Sequence, residues 1–364
     1  LIVDNGSSGQ RLYSFLNERF KLDSLVEFFS HKTVPRHSHS YLYYTGGVSL
    51  FLFMVQVFSG ILLLMYYKGS ADSAFESVRF IMSEVPFGWL IRDVHSWSAN
   101  LMIFFAFIHM FAVFFTKSYR FPRELTWLSG MVLLFLSMVF GFSGYLLPWN
   151  ELAFFATKVG TDIAGALPGI GEPILKLLRG SEDVTGATLS RFFGIHVAIM
   201  PGIFVLFLTM HLTLVQRLGM SEPLHWKNLP EDKKKHTPFF PNFLLRDFSL
   251  WLIILSIVAA LSVFFPWELG LKADPFVSAP AGIKPEWYFM FVFQTLKYIP
   301  AHVLIMEGEL FGILMFGLGA LLWMFVPFFD REGRGERLSR AFTYAGVVIV
   351  AYIIVMTVLG YTME

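Results

Sequence analysis

The sequence predicts an all-α membrane protein with seven transmembrane helices, the first four forming a four-helix bundle. Three observations carry that prediction. Of 364 residues, 55 % are hydrophobic and 15 % charged, and mean hydropathy is +0.60, values that belong to a bilayer and not to water. Seven runs approach the roughly 20 apolar residues that a hydrocarbon core requires. They lie near 45–66, 93–116, 127–147, 193–216, 247–266, 307–328 and 342–361. Four histidines fall inside two of the first four runs as spaced pairs, His95 with His109 and His196 with His211.

Taken in order, residues 1–44 hold no cleavable signal pattern. Arg11, Glu18, Arg19, Lys21, Asp23 and Glu27 alternate with Phe15, Leu16, Phe20, Leu22, Leu25, Phe28 and Phe29, which suits an amphipathic helix lying on the membrane surface. Residues 45–220 then carry four spans and all four paired histidines. Their long connection from Pro148 to Arg191 sets Gly165, Pro168, Gly169, Gly171 and Pro173 between short apolar turns, so surface-lying helices are expected there. A polar stretch, 221–241, is rich in Lys, Pro and His and reads as a linker. Residues 242–364 supply three further spans, with a second long connection from Trp267 to about Met306. No short-period repeat is present.

Lys and Arg set the orientation. Eighteen of the 28, including Arg331, Arg334, Arg337 and Arg340, fall on the side of the N-terminal segment, which predicts a cytoplasmic N-terminus. Net charge is +1 with dispersed basic residues, so no nucleic-acid surface is expected. Cysteine is absent, which excludes disulfides, cysteine-ligated iron–sulfur or zinc centres and thioether-linked haem within this chain.

Any redox cofactor must therefore hang on histidine. Steps of 14 or 15 residues return to nearly one helix face about 20 Å further along, so two such helices side by side would stack two bis-histidine sites. An uncharged imidazole in hydrocarbon leaves a ring nitrogen seeking a partner, and a low-spin haem iron takes two. Gly46 and Gly60, then Gly130 and Gly144, repeat the spacing of 14 on the flanking spans. A flat macrocycle passing a helix needs backbone without a Cβ. The bundle thus reads as a di-haem bundle. His31, His37, His39, His225, His236 and His302, in polar connections, read as solvated side chains.

Proton chemistry is suggested by Pro285-Glu286-Trp287-Tyr288. A carboxylate between a proline and aromatics at a membrane surface suits a proton acceptor in an apolar cleft, with Tyr288 hydrogen-bonding a substrate or lining the cleft, and Tyr145 and Trp149 as another wall. Arg92 and Arg191, shortly before His95 and His196, suit haem propionates.

These residues resemble the cytochrome b of quinol-oxidising cytochrome bc complexes over nearly the whole chain. The most specific pieces are the paired histidines and glycines, Gly144-Tyr145-Leu146-Leu147-Pro148-Trp149, and Pro285-Glu286-Trp287-Tyr288. The 15-residue step from His196 to His211, Phe87-Gly88-Trp89-Leu90-Ile91-Arg92 and Pro122-Arg123-Glu124-Leu125-Thr126-Trp127 resemble the chloroplast-type branch, here with its four-span and three-span halves fused. The resemblance implies two noncovalent b-type haems, quinol and quinone as substrates, and a Q-cycle with proton translocation. It assigns His95 and His196 to the low-potential haem, with Arg92, Arg191, Gly46, Gly60, Gly130 and Gly144, and His109 with His211 to the high-potential one. A quinol site would comprise Tyr145, Trp149, Pro285, Glu286, Trp287 and Tyr288, and a quinone reduction site Arg246, Asp247 and Gln216. Implied partners are a Rieske iron–sulfur protein, a c-type cytochrome subunit and membrane lipid, in a homodimer within a bacterial cytoplasmic membrane. The sequence departs from the pattern twice: Tyr44 stands where the chloroplast-type branch has its haem-attaching cysteine, and Ala112 where relatives have a basic residue, for which Lys117 or Arg120 would substitute.

Two other functions compete. A di-haem anchor of another quinone-linked dehydrogenase or reductase has no need of the Pro-Glu-Trp-Tyr motif. A transporter leaves the spaced histidines and glycines without a role.

Overall fold

The protein is described from a computed structural model covering residues 7–280, 282–331, 333 and 335–363. Arg334, and the side chains of Leu25, Phe28 and Phe29 on which part of the amphipathic reading rests, lie outside the described residues. Two short helices, α1 (Ser8–Phe20) and α2 (Leu22–His31), begin the chain. A capping box between Ser7 and Gln10 starts the first, and Leu12, Phe15 and Phe20 point away from the protein. Strand β1 (Thr33–Pro35) leads into the first long helix, α3 (Tyr44–Leu64). A short α4 (Ala74–Ser83) precedes α5 (Gly88–Phe115) and α6 (Glu124–Tyr145). The connection after α6 is helical, as α7 (Glu151–Gly165) and α8 (Gly171–Arg179). Then α9 (Gly186–Gly194), a π-helical turn at Ile195–Ile199 and α10 (Met200–Leu218) form one continuous rod.

These rods close into a bundle: α3 packs on α5, α5 on α6 and α6 on α10, while Phe53 of α3 stacks on Phe204 of α10 at 4.4 Å. The second part follows as strand β2 (His236–Pro238), α11 (Leu244–Phe264), α12 (Trp287–Tyr298), strands β3 (His302–Val303) and β4 (Met306–Glu307), α13 (Gly308–Met324), α14 (Val326–Phe329) and α15 (Glu336–Thr362). Helix α11 lies against α3 and α5, and α12 against α15. The expected linker 221–241 is tied down, because β2 pairs antiparallel with β1 and sets Val34 opposite Thr237.

Among the described residues six helices are long and apolar enough to cross a membrane, so this is a multi-pass membrane protein. The seventh expected span appears as α13, 17 residues long, with α14 continuing after a break at Phe325. Pro327 explains the break, since it has no N–H to donate to the carbonyl four residues back and its ring crowds that carbonyl. Helices α5, α6 and α9 begin three to seven residues before the expected spans, because Arg92, Glu124 and Arg191 lower the hydropathy without stopping the helix. Outward residues such as Phe58, Leu206, Leu252 and Val348 are apolar and exposed, as lipid-facing positions must be.

Candidate functional site

His95 and His196 face each other across the bundle, with ring centroids 6.5 Å apart and planes at 71°. His109 lies close enough to His211 to feel its charge, nearer the far end of the same helices. Each ring is held by a hydroxyl on a flanking helix. Ser59 Oγ lies 2.9 Å from His95 Nδ1, Thr45 Oγ1 3.0 Å from His109 Nδ1, Ser143 Oγ 3.0 Å from His196 Nδ1 and Ser129 Oγ 3.0 Å from His211 Nδ1.

Those hydroxyl protons are already engaged. Ser59 donates to Val55 O at 2.6 Å, Thr45 to Leu42 O at 2.7 Å, Ser129 to Thr126 O at 2.9 Å and Ser143 to Phe140 O at 3.1 Å. Each hydroxyl oxygen must therefore accept from the imidazole, which puts the proton on Nδ1 and leaves the Nε2 lone pair for a metal.

The residue after each hydroxyl is one of the spaced glycines. A Cβ at Gly60, Gly46, Gly130 or Gly144 would come within 3.2, 2.9, 3.1 or 2.7 Å of Cε1 of the ring its neighbour holds. Hydroxyl and glycine thus act as a unit, one fixing the tautomer and the other making room. This corrects the grouping of all four glycines with one haem. Gly60 and Gly144 belong with His95 and His196, whereas Gly46 and Gly130 belong with His109 and His211, because 14 residues of helix separate the two levels by about 20 Å. Two neutral imidazoles facing each other beside Cβ-free backbone are a donor set that fits a low-spin haem iron. Sequence reasoning missed the four hydroxyls, although a Ser or Thr precedes every one of the glycines.

The proposed propionate cations have other partners. Arg92 pairs with Asp93 at 3.2 Å and donates to the carbonyls of Trp267 and Glu268, pinning the chain after α11 to the start of α5. Arg191 donates to Lys176 O at 2.8 Å, which also accepts the Gly180 N–H, and to Leu177 O at 2.5 Å, satisfying carbonyls at the end of α8. Lys117 and Arg120, expected as substitutes at Ala112, bind the buried Asp330 at 3.1 and 2.6 Å. Tyr119 also donates to Asp330, and Arg120 reaches Ser339 Oγ at 2.6 Å. Burial pushes the Asp330 carboxyl up, but its three donors outweigh that and hold it below the usual range. None of these contacts is legible as a propionate site.

At the opposite end Glu286, which follows Pro285, stands at the N-cap position of α12, its half-buried side chain making no capping hydrogen bond. Burial raises its carboxyl above the ordinary value, and Tyr288 and Tyr145 lie near enough to feel its charge. Tyr288 is 3 % exposed and fills the space over Gly141, where any Cβ would strike its hydroxyl. Trp287 turns the other way, donating its indole N–H to Asn100 Oδ1 of α5 at 2.9 Å. Asn100 is thus a supporting residue that the sequence alone did not reveal. Trp149 is 3 % exposed inside an apolar cluster with Leu146, Phe154, Leu189 and Phe192, against which Ile283 packs, and its backbone takes φ +52°.

The remaining expected residues gather at the Asp330 end. Arg246 lines a cavity of 30 Å³ with Arg36, Ser40, Tyr44, Thr237 and Phe243. Asp247 is buried against the backbone of Gly47, where a Cβ would stand 2.5 Å from Oδ2. Gln216 accepts from Lys32, whose ammonium lies 5.2 Å from the Phe239 ring, which in turn stacks on Phe243 at 5.7 Å. Tyr44, at the position of the absent cysteine, stacks on Phe243 at 4.5 Å.

Known proteins resemble the chain over most of its length. The family described as cytochrome b/b6/petB matches residues 29–219, and the C-terminal cytochrome b/b6/petD family matches 272–364. A cytochrome bc complex cytochrome b subunit of Chlorobaculum thiosulfatiphilum is 50 % identical over 344 residues, 94 % of this chain and 79 % of that one. A chain of a solved structure titled hyperthermophilic respiratory Complex III superposes with a TM-score of 0.83 at 30 % identity, over 96 % of this chain and 91 % of that one. With two family matches covering both halves and a relative of this identity, the chain belongs to the cytochrome b/b6 family.

Proposed function

We propose that this chain is the electron- and proton-handling subunit of a bc-type quinol oxidoreductase, oxidising quinol at the Glu286 end and reducing quinone at the Arg246–Asp247 end. The observation that carries the reading is the fourfold repeat in which a hydroxyl holds His Nδ1, leaves Nε2 free and is followed by a glycine that clears the ring. When bound there, two noncovalent b-type haems would carry electrons between the two ends. The protein's own part is to fix four imidazoles in one tautomer and to keep the intervening space apolar.

At the Glu286 end the carboxylate, raised by burial, is poised to take a proton from a quinol hydroxyl. Tyr288 and Tyr145 border it, and the cluster around Trp149 closes the adjoining connection against water. The excess of Lys and Arg at the Asp330 end supports a cytoplasmic location for that end and for the N-terminus. The family matches at 29–219 and 272–364 support a four-span domain at 45–220 and a three-span domain at 242–364, joined through 221–241. Family membership supports a Rieske iron–sulfur protein and a c-type cytochrome as partners, in a homodimeric assembly of the bacterial cytoplasmic membrane.

A reduced-minus-oxidised spectrum of membranes containing the chain tests the reading, combined with turnover of a quinol against a cytochrome acceptor. Two b-type signals and quinol-dependent turnover are expected. No b-type signal would overturn the haem assignment, and two haems without quinol turnover would return the chain to the class of di-haem anchors.

A further inference from the structure

Four of the histidines outside the two pairs meet at the Asp330 end. His37, His225 and His236 surround the buried ring of Trp226 at 6.2, 6.4 and 5.6 Å between centroids, and His39 lies 6.2 Å from His37. The pairing of β1 with β2 creates this grouping, since it sets His236 opposite Pro35. His39, His225 and His236 are exposed, whereas His37 is half-buried.

His37 faces inward through defined contacts. Its Nε2 lies 2.8 Å from the Tyr43 hydroxyl, which donates to Ser221 O at 2.6 Å and so accepts from His37. Its Nδ1 accepts the backbone N–H of His39 at 3.2 Å. A proton gained on one nitrogen can therefore leave from the other. Burial, together with the charges of His39 and His225, lowers the His37 pKa and favours onward release. The other charged groups facing the cluster are Arg123 and Glu222 beside Tyr43, Glu222 again at 3.9 Å from His236, and Lys234 at 3.0 Å from Glu222 and 2.7 Å from Glu231.

Ser40, whose Oγ accepts the His37 backbone N–H at 2.7 Å, also lines the 30 Å³ cavity with Tyr44, Thr237 and Arg246. A water needs only about 10–15 Å³ of such space. Beyond Arg246 is Asp247, whose buried Oδ1 has no hydrogen-bond partner among the described residues. A shared metal ion is not the explanation, because among the described residues no three His, Cys, Asp or Glu side chains converge on one point.

We propose that His37, His39, His225 and His236 form a proton-collecting cluster that supplies quinone reduction beside Arg246 and Asp247. The inference rests on the reading of that end as the quinone-reducing one. Each quinone takes two electrons and two protons, converting two carbonyl C=O groups to two hydroxyls. The electrons come through the bundle, so the protons must enter from the aqueous face, where three exposed imidazoles and the half-buried His37 are grouped around Trp226.

The test uses the intact complex in membranes with His37, His39, His225 and His236 all changed to Gln, and follows quinol turnover from about pH 6 to about pH 9. Turnover should fall about threefold or more below that of the unaltered complex at the alkaline end, where free protons are scarce, and added imidazole should restore it. The haem spectrum should not change. A pH profile that superimposes on the unaltered one, or a loss that imidazole does not relieve, would overturn the proposal. Should the fourfold variant fail to assemble, His39→Gln with His225→Gln leaves the His37–Tyr43 contact intact and must show the same alkaline loss. No quinol turnover by the unaltered complex would be a different result, overturning the function proposed above and this inference with it.

Discussion

The two ends of the bundle are closed by different physics. At the Glu286 end an apolar cluster around Leu146, Trp149, Phe154 and Phe192 seals the connection, with one carboxylate held at its edge. At the other end the seal is ionic: Asp330, 1 % exposed, gathers Lys117, Tyr119 and Arg120 and so ties the α5–α6 connection to the α14–α15 connection. A dry end suits removing protons from a substrate one at a time through a single acceptor. A wet end lined with Arg, Asp and His suits delivering them.

The largest break in this contrast comes from the histidines themselves. His196→Ala should abolish one b-haem signal and quinol oxidation, while His211→Ala should abolish the other signal and leave electrons stalled after the first turnover. Redox titration with spectroscopy checks this, and retention of both haems at full stoichiometry in either variant would sink the ligand assignment.

Glu286→Gln comes next. It should slow quinol oxidation roughly hundredfold with both haems retained. The sign of its pH dependence is fixed by the raised carboxyl. Below its pKa the carboxyl is protonated and cannot accept, so turnover of the unaltered protein should rise with pH through that value. The Gln variant should lose that rise, and an unchanged profile would remove the proton role.

Stability should separate the ends as well. Asp330→Asn leaves Lys117 and Arg120 buried without their counter-charge, for a cost of about 3–5 kcal/mol. Thermal unfolding in detergent would reveal it as earlier release of the second half from the first. A melting profile equal to the unaltered one would show that the apolar contacts alone hold the halves together.

The smallest effect is expected from the hydroxyls. Ser143→Ala and Ser129→Ala should each weaken haem retention about tenfold, the former at the Glu286 level and the latter at the Asp330 level. Haem loss to an apo-globin acceptor measures it, and equal loss from both levels in either variant would mean the hydroxyls do not act on individual rings.

Periodicity made much of this visible in the sequence. Paired histidines and paired glycines repeat at helix spacing, so both levels of the site and the four-helix core could be read directly. What escaped was of two kinds. Ser59, Thr45, Ser129 and Ser143 are ordinary residues in spans, and only their shared place before a glycine marks them. Arg92, Arg191, Lys117 and Arg120 find their partners 175, 15, 213 and 210 positions away, and no local pattern encodes such separations. Nor does a local pattern bring His37 to His236, which depends on two three-residue strands finding each other.

The π-helical turn at Ile195–Ile199 bears on descent. His95 and His109 stand 14 residues apart on the regular helix α5, whereas His196 and His211 stand 15 apart, yet His95 still faces His196 at 6.5 Å and His109 still feels the charge of His211. A π turn takes in one extra residue within a single turn, here marked by the Met200 N–H reaching back to Ile195 O. Insertions usually survive in surface loops because nothing downstream must keep register. This one is absorbed inside a membrane span, one turn wide, in the turn that carries His196 itself. A homologue with 14 residues between the same histidines should therefore be aligned with its gap at 195–199, and deletion of one residue there should yield a regular helix that still presents both rings.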